Sequence, residues 1–229
     1  MEKLIEKLKE NQLFYGLKQE EIKKIFTCSQ AIIQKYEDKQ TVFEKGDIIK
    51  NIGIVIDGEF NLVSQKYNGA RVIVTTLEFN DLFGEALIFS TAKTSPYDLV
   101  CSGESRALFI PKSFFINVCP NSCSFHKILI SNMLSILSDK IVMLNNKMKI
   151  LNAETIKGKI AIYLLLIYKK TNKLTFDMPM KRQELSEFLN ITRPSLSREF
   201  SNMQSDNIIE IYRSSIKILN LEKLYELSE

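Results

Sequence analysis

The sequence predicts an α+β chain: a small β-barrel or sandwich, then one long helix, then a winged helix-turn-helix. Three observations predict it. Apolar residues recur every three or four positions up to about residue 26, every second position from about 31 to 110, and every three or four again afterwards. Between Ile130 and Leu151 the spacing settles into alternating four- and three-residue steps. Finally, residues 183–219 read as helix, three-residue turn, helix, hairpin.

The chain has 229 residues, enough for one large domain or two small ones, with 45% apolar and 25% charged residues as in ordinary soluble proteins. No apolar run reaches the roughly 20 residues of a membrane span. The charged start, "MEKLIEKLKENQLF", lacks the apolar middle of a signal peptide. The expectation is a cytoplasmic protein with no membrane partner. A net charge of +4, mixed along the chain, permits nucleic-acid binding without arguing for it. His126 is the one histidine, which excludes a site with two histidine ligands and removes the commonest general base. No nucleophile–base pair is visible, so no enzyme is expected. Cys28, Cys101, Cys119 and Cys123, in a reducing compartment, are not expected to form structural disulfides.

The elements follow in order. Leu4, Ile5, Leu8, Ile22, Ile25 and Phe26 give two short helices with a break at Gly16. Short runs rich in Val, Ile, Thr and Phe come next, punctuated at Lys45-Gly46-Asp47, Asp57-Gly58, Asn68-Gly69 and Asn80-Asp81. Asn68-Gly69 predicts a hairpin, because both residues tolerate positive φ. Pro111 opens a short helix and a turn. From about 122 to 152 one helix, some 45 Å long, carries the seam Ile130, Leu134, Leu137, Ile141, Leu144, Met148 and Leu151. A second set beside it, Ile128, Leu129, Met133, Ile136 and Met143, allows one face for a partner chain and one for the barrel. Beyond 153, "KGKIAIYLLLIYKKT", "MKRQELSEFL" and "TRPSLSREFSNMQSD" read as three helices. A hairpin then turns at Arg213-Ser214-Ser215, and Asn220 can cap a last helix. The domains are thus 1–121, 122–152 and 153–229.

The stretch "ITRPSLSREF" needs an account of its two faces. Leu185, Phe188, Leu189, Ile191, Leu196, Phe200 and Met203 form the shared core of the helix pair. Thr192 serves as N-cap, and Pro194 falls in the first turn, where its missing N–H costs little. Arg193, Ser195, Ser197 and Arg198 are left outside. Recognition helices offer their first residues to base edges in the major groove, and arginine can donate twice to guanine. Lys181, Arg182 and Gln183 suit phosphate positioning. The alternative is a helical end that docks a protein partner, which has no need of these arginines.

The whole chain resembles the Crp/Fnr superfamily of bacterial transcription regulators, through "FEKGD", "IGIVIDGEFNLV", "FGEALIF", the long helix and "RQELSEFLNITRPSLSREFSNMQSDNII". The resemblance implies a cyclic-nucleotide-binding-like β-roll (a jelly-roll barrel) and a homodimer joined along the long helix. It implies double-stranded DNA and RNA polymerase as partners. Arg193 and Arg198 match the family's base-reading arginines, and Arg182 and Gln183 its DNA-contacting pair; Thr192 joins this set. Pro194 stands where well-known members carry a glutamate that reads cytosine, which puts a TGTGA-type half-site in question.

By the same analogy the effector pocket would involve Phe83, Gly84, Glu85, Ser95 and Tyr97. Cyclic-nucleotide binders place phosphate on a Gly-Glu turn and an arginine. Gly84-Glu85 is present, but Ser95-Pro96 replaces the arginine, and Lys93 has the wrong spacing. A buried phosphate without a charged partner is costly, so the expected effector is another small molecule, of unknown identity. The clustered cysteines of FNR-type iron–sulfur proteins are lacking, and no cofactor is expected. Cys119, Cys123 and His126 have a spacing that could reach a metal ion, and His126 could in principle hold haem, but two thiols and a histidine without a metal are the simpler reading.

Overall fold

The computed structural model describes residues 2–66, 69–117 and 123–229, with the backbone alone at Ser124. The chain forms two compact units, the first ending at Asp139 and the second beginning at Lys140. That boundary falls inside the longest helix.

The first unit opens with α1 (Glu2–Leu8), a 3-10 turn at Gln12–Phe14, and α2 (Gln19–Ser29). Gly16 takes φ +79° in the break between them, as its place in the pattern predicts. Asn11 is buried because it organises this turn: its Oδ1 accepts from Leu13 N (2.9 Å), and its Nδ2 donates to Asn80 O (2.8 Å).

Six antiparallel strands follow: β1 (Ile32–Tyr36), β2 (Thr41–Phe43), β3 (Asn51–Gln65), β4 (Arg71–Leu77), β5 (Leu82–Phe83) and β6 (Asp98–Pro111). The order is β1-β6-β3-β4, with β2 also on β6 and β5 on β3. Period-two alternation sends the two faces of β3 and β6 into different cores. Ile52, Ile54 and Ile56, with Leu108 and Ile110, pack with the helices. Val55 and Phe60, with Leu99, Cys101, Ala107 and Phe109, pack inside the roll. The register pairs Ile52 with Ile110 and Ile54 with Leu108.

Asp57-Gly58, expected as a turn, is a bulge inside the continuous strand β3. Gly58 has φ +72°, and a Cβ there would lie 2.2 Å from Ser105 Oγ. The strand bends instead of reversing because Ser105 Oγ accepts from Glu59 N and donates to Glu59 O, both at 3.0 Å. The β3–β4 hairpin is present, closing from Gln65–Arg71 pairing. Of its expected turn, Gly69 has φ +79° and Asn68 lies outside the described residues.

After the short helices α3 (Glu85–Phe89) and α4 (Lys112–Ile116) comes α5 (Ser124–Asn152). Phe125, Leu129, Met133 and Ile136 bury one side of α5 in the first unit's core, with Ile128 and Leu137 half-buried beside them. Asn132 Nδ2 donates to Leu13 O (3.0 Å) and Tyr15 O (2.8 Å), fixing the helix on the N-terminal turn. Met143, grouped by spacing with the barrel-facing set, is exposed instead. The core that Leu129, Met133 and Ile136 serve ends before it. By length and composition alone α5 could cross a membrane, since its most apolar 18-residue window has mean hydropathy 1.4.

In the second unit the end of α5 contributes Ile150 to a core shared with α6 (Ile156–Thr171), α7 (Arg182–Phe188), α8 (Arg193–Ser205) and α9 (Leu221–Glu226). Thr155 caps α6 by accepting from Gly158 N (2.9 Å), and Asn220 caps α9 by accepting from Lys223 N (2.9 Å). The expected hairpin, β8 (Ile209–Tyr212) and β9 (Ser215–Ile218), gains a third strand, β7 (Thr175–Asp177), on the far side of β9. The turn between β8 and β9 has two residues, Arg213 and Ser214, and not three. Ser215 already pairs with Tyr212, and Arg213 supplies the positive φ of 54° that a two-residue turn needs.

Candidate nucleic-acid interface and sensor site

The helix pair is built by local hydrogen bonds. Lys181 N donates to Glu184 Oε2 (3.0 Å) at the start of α7. Asn190, at φ +52°, reverses the chain after α7, and Ile191 N donates back to Ser186 O (3.0 Å). Thr192 then caps α8, accepting from Ser195 N (3.3 Å). Pro194 occupies the first turn.

Leu196, Phe200 and Met203 are buried at four- and three-residue steps. At 100° per residue this leaves Pro194, Arg198 and Ser201 on the opposite side, with Ser197 at its flank; Arg193 falls nearer the buried side but is the first residue of α8. Arg193, Ser197 and Arg198 are exposed. Ser195 is half-buried, its Oγ 2.8 Å from Thr192 Oγ1, so these two hydroxyls are tied to each other.

The three residues at the start of α7 fare differently. Lys181 is exposed. Gln183 is exposed too, its Nε2 donating to Glu187 Oε1 (2.7 Å). Arg182 packs over Phe200, its guanidinium carbon 3.8 Å from the ring centroid. Its Nη1 is buried and has no hydrogen-bond partner among the described residues. Burial pulls its pKa down from the usual arginine value, although a guanidinium keeps its charge at neutral pH. The sequence signal for Arg182 was its position in a motif; the stack on Phe200 comes from α8 and was not visible there.

Two residues at the wing tip, Tyr212 and Arg213, are not among the DNA contacts that the sequence predicts. Tyr212 is 68% exposed, and the Arg213 guanidinium lies 5.3 Å from its ring centroid. The available signal was an arginine in a turn between alternating isoleucines.

In the first unit, Phe83 turns into the aromatic core of the roll, 5.8 Å from Phe109 and 6.1 Å from Phe60 between centroids. Gly53 makes room for it: a Cβ there would sit 1.9 Å from Phe83 Cζ. Phe83 also lines a cleft of about 320 Å³ with Gln34, Tyr36, Val42, Phe43 and Phe109. Gly84, at φ +80°, starts α3, and Glu85 is buried behind it. Ser95 is buried in the loop before β6. Its Oγ donates to Tyr97 O (2.6 Å) and accepts from Tyr97 N (3.2 Å). The structure therefore joins Ser95 with half-buried Tyr97 in one turn and commits Phe83 to the aromatic core.

The described cysteines lie in different settings. Cys28 is exposed on α2, whereas Cys101 is buried in β6 with its Sγ 2.8 Å from Gly103 O. Cys119 lies outside the described residues. His126 Nε2 lies 3.1 Å from Phe114 O, so it donates to that carbonyl, and the ring centroids of Phe114 and Phe125 lie 4.3 and 5.4 Å away. Its Nδ1 is buried without a hydrogen-bond partner among the described residues. Among those residues, no three His, Cys, Asp or Glu side chains gather as a metal ion would require.

Comparison with known proteins agrees with this architecture. Residues 33–122 match the cyclic nucleotide-binding domain, and residues 158–227 match the Crp-like helix-turn-helix domain. The transcriptional activator protein FnrL of Cereibacter sphaeroides is 23% identical over 187 residues, covering 78% of this chain and 72% of that protein. The global nitrogen regulator of Synechococcus elongatus is 20% identical over 194 residues, covering 82% and 86%. The solved catabolite activator protein of Thermus thermophilus shares the fold with a TM-score of 0.53 at 17% identity, covering 95% of this chain and 98% of that one. The reading of the C-terminal helices as a protein-docking end is not favoured by these matches. A cyclic-nucleotide-binding-type roll, a long helix and a Crp-like helix-turn-helix in one chain place this protein in the Crp/Fnr family of DNA-binding transcription regulators.

Proposed function

We propose that this regulator acts in the cytoplasm as a homodimer joined along α5. In this reading it binds a palindromic DNA site through α8, answers to a small effector other than a cyclic nucleotide, and acts on RNA polymerase. The observation that carries the dimer is the stripe Leu134, Ile141, Leu144 and Met148. Each is 58–60% exposed, on a helix that buries another side in the first unit's core between Phe125 and Ile136 and Ile150 in the second unit's core. A lipid environment would want α5 apolar all round, whereas Asp139, Lys140, Asn145, Asn146 and Lys149 interrupt it. A second copy of α5 matches the stripe with its own a/d spacing.

Two-fold symmetry then sets two α8 helices about one DNA turn apart. Arg193 and Arg198 supply the base contacts. Lys181 and the wing-tip Arg213 supply phosphate contacts, and Arg182, held against Phe200, adds its positive charge beside α8. Selection of bound sequences from random DNA by the full chain tests this. A two-fold site with arginine-type guanine preference in each half is the expected product; a single unpaired motif would overturn the dimer reading.

A further inference from the structure

We infer that Lys147 is a positioning residue for α8: its ammonium fastens the end of α7 to α5, and so fixes the separation of the half-sites that a dimer reads. This rests on α5 as dimer helix and α8 as recognition helix. Lys147 lies on α5 one turn before Ile150, which is fully buried in the second unit's core. Its Nζ donates to the carbonyl of Phe188, the last residue of α7, and lies 3.7 Å from the centroid of the Phe188 ring. Lys159 of α6 donates to the next carbonyl, Leu189 O (3.4 Å).

The last carbonyls of a helix have no N–H partner within it and carry the negative end of its dipole. Here two of them are met by ammonium groups from two other helices. Ile150 packs without direction; a hydrogen bond to a carbonyl adds direction. From Phe188 the connection to α8 is short and stiff. Asn190 is held in the left-handed region, Ile191 N is bonded to Ser186 O (3.0 Å), and Thr192 caps α8. The Tyr163 ring packs beside the Phe188 ring, 5.7 Å between centroids. Burial lowers the Lys147 pKa from the usual 10.5. This is a partly desolvated charge, for which contacts to a carbonyl and a ring are stronger than in water.

The test fixes the selected half-site and varies the spacer between two copies of it, for the full-length wild type, Lys147→Met and Lys147→Arg. The wild type should prefer one spacer over its neighbours by about tenfold, and each neighbouring spacer misplaces one recognition helix. Lys147→Met should keep the half-site sequence and accept several spacers nearly equally, and Lys147→Arg should restore the preference. If Lys147→Met keeps the wild-type spacer and binds every DNA uniformly more weakly, Lys147 only stabilises the fold and the inference is wrong. A wild type that selects no paired site sinks the dimer reading, and this inference with it. Thermal melts run alongside; should the methionine variant fail to fold, Lys147→Gln, uncharged but able to donate, takes its place under the same criteria.

Discussion

Arg193 stands exposed at the first turn of α8, whereas Arg182 is stacked on Phe200. The two should therefore fail differently. Arg193→Ala should relax preference at one guanine position and cost about 1–3 kcal/mol there. Arg182→Ala should weaken binding to every sequence, flatten the salt dependence, and lower the second unit's stability by about 0.5–2 kcal/mol as the cation–π contact is lost. Binding to a panel of single-base variants at several salt concentrations, with thermal melts alongside, separates them. Uniform loss in both mutants would mean that Arg193 reads no base. The identities of these residues were legible in the sequence, because "RQELSEFLNITRPSLSREF" carries its caps and its apolar steps. The direction of the Arg182 side chain was not, because it is set by Phe200 on another helix. Ser195 likewise looked free in sequence and is half-buried against Thr192.

At the scale of elements, α5 divides its apolar residues among the first unit's core, the second unit's core and an open stripe. Leu137 belongs partly to the first unit's core, so replacing it would disturb folding as well as association. Leu144 and Met148 are cleaner: replacing both with lysine should yield a folded monomer without tight DNA binding. Sedimentation and a gel shift check this, and a wild type that sediments as a monomer at micromolar concentration would remove the premise. Helical periodicity labels the faces of α5 but does not say where a core stops: Met143, grouped with the barrel-facing set, is exposed, and Leu137, grouped with the seam, is half-buried in the first unit's core. β7 was missed for a related reason. It has three residues with one buried, Phe176, and so shows no alternation. Asp57-Gly58 misled because a turn and a bulge use the same dipeptide, and only the partner strand, through Ser105, decides between them.

For the molecule as a whole, the roll shares the fold of cyclic-nucleotide-binding domains, and what it senses is a separate matter. Ser95 spends its hydroxyl on the Tyr97 backbone, and Pro96 adds no donor. Nothing at this pair offers the charged fork that a buried phosphate needs. Calorimetric titration with cyclic AMP and cyclic GMP should accordingly show no binding at micromolar concentration. A micromolar Kd with a matching rise in DNA affinity would show that the phosphate is held elsewhere in the roll. The division of the chain at Asp139–Lys140 bears on a different matter, where a gene for this protein can be cut. The boundary between its compact units is a run of helix and not a loop. Ile150 and Lys147 lie before the first residue of any fragment started at the end of α5. A fragment 153–229 would leave the place of Ile150 empty, at a cost in the range of about 2–5 kcal/mol for a large buried aliphatic side chain. A fragment 140–229 keeps it and should melt cooperatively at a higher temperature. If the two fragments melt alike, the end of α5 adds nothing to the C-terminal unit; if they differ as expected, an expression boundary for this protein belongs in the middle of its longest helix.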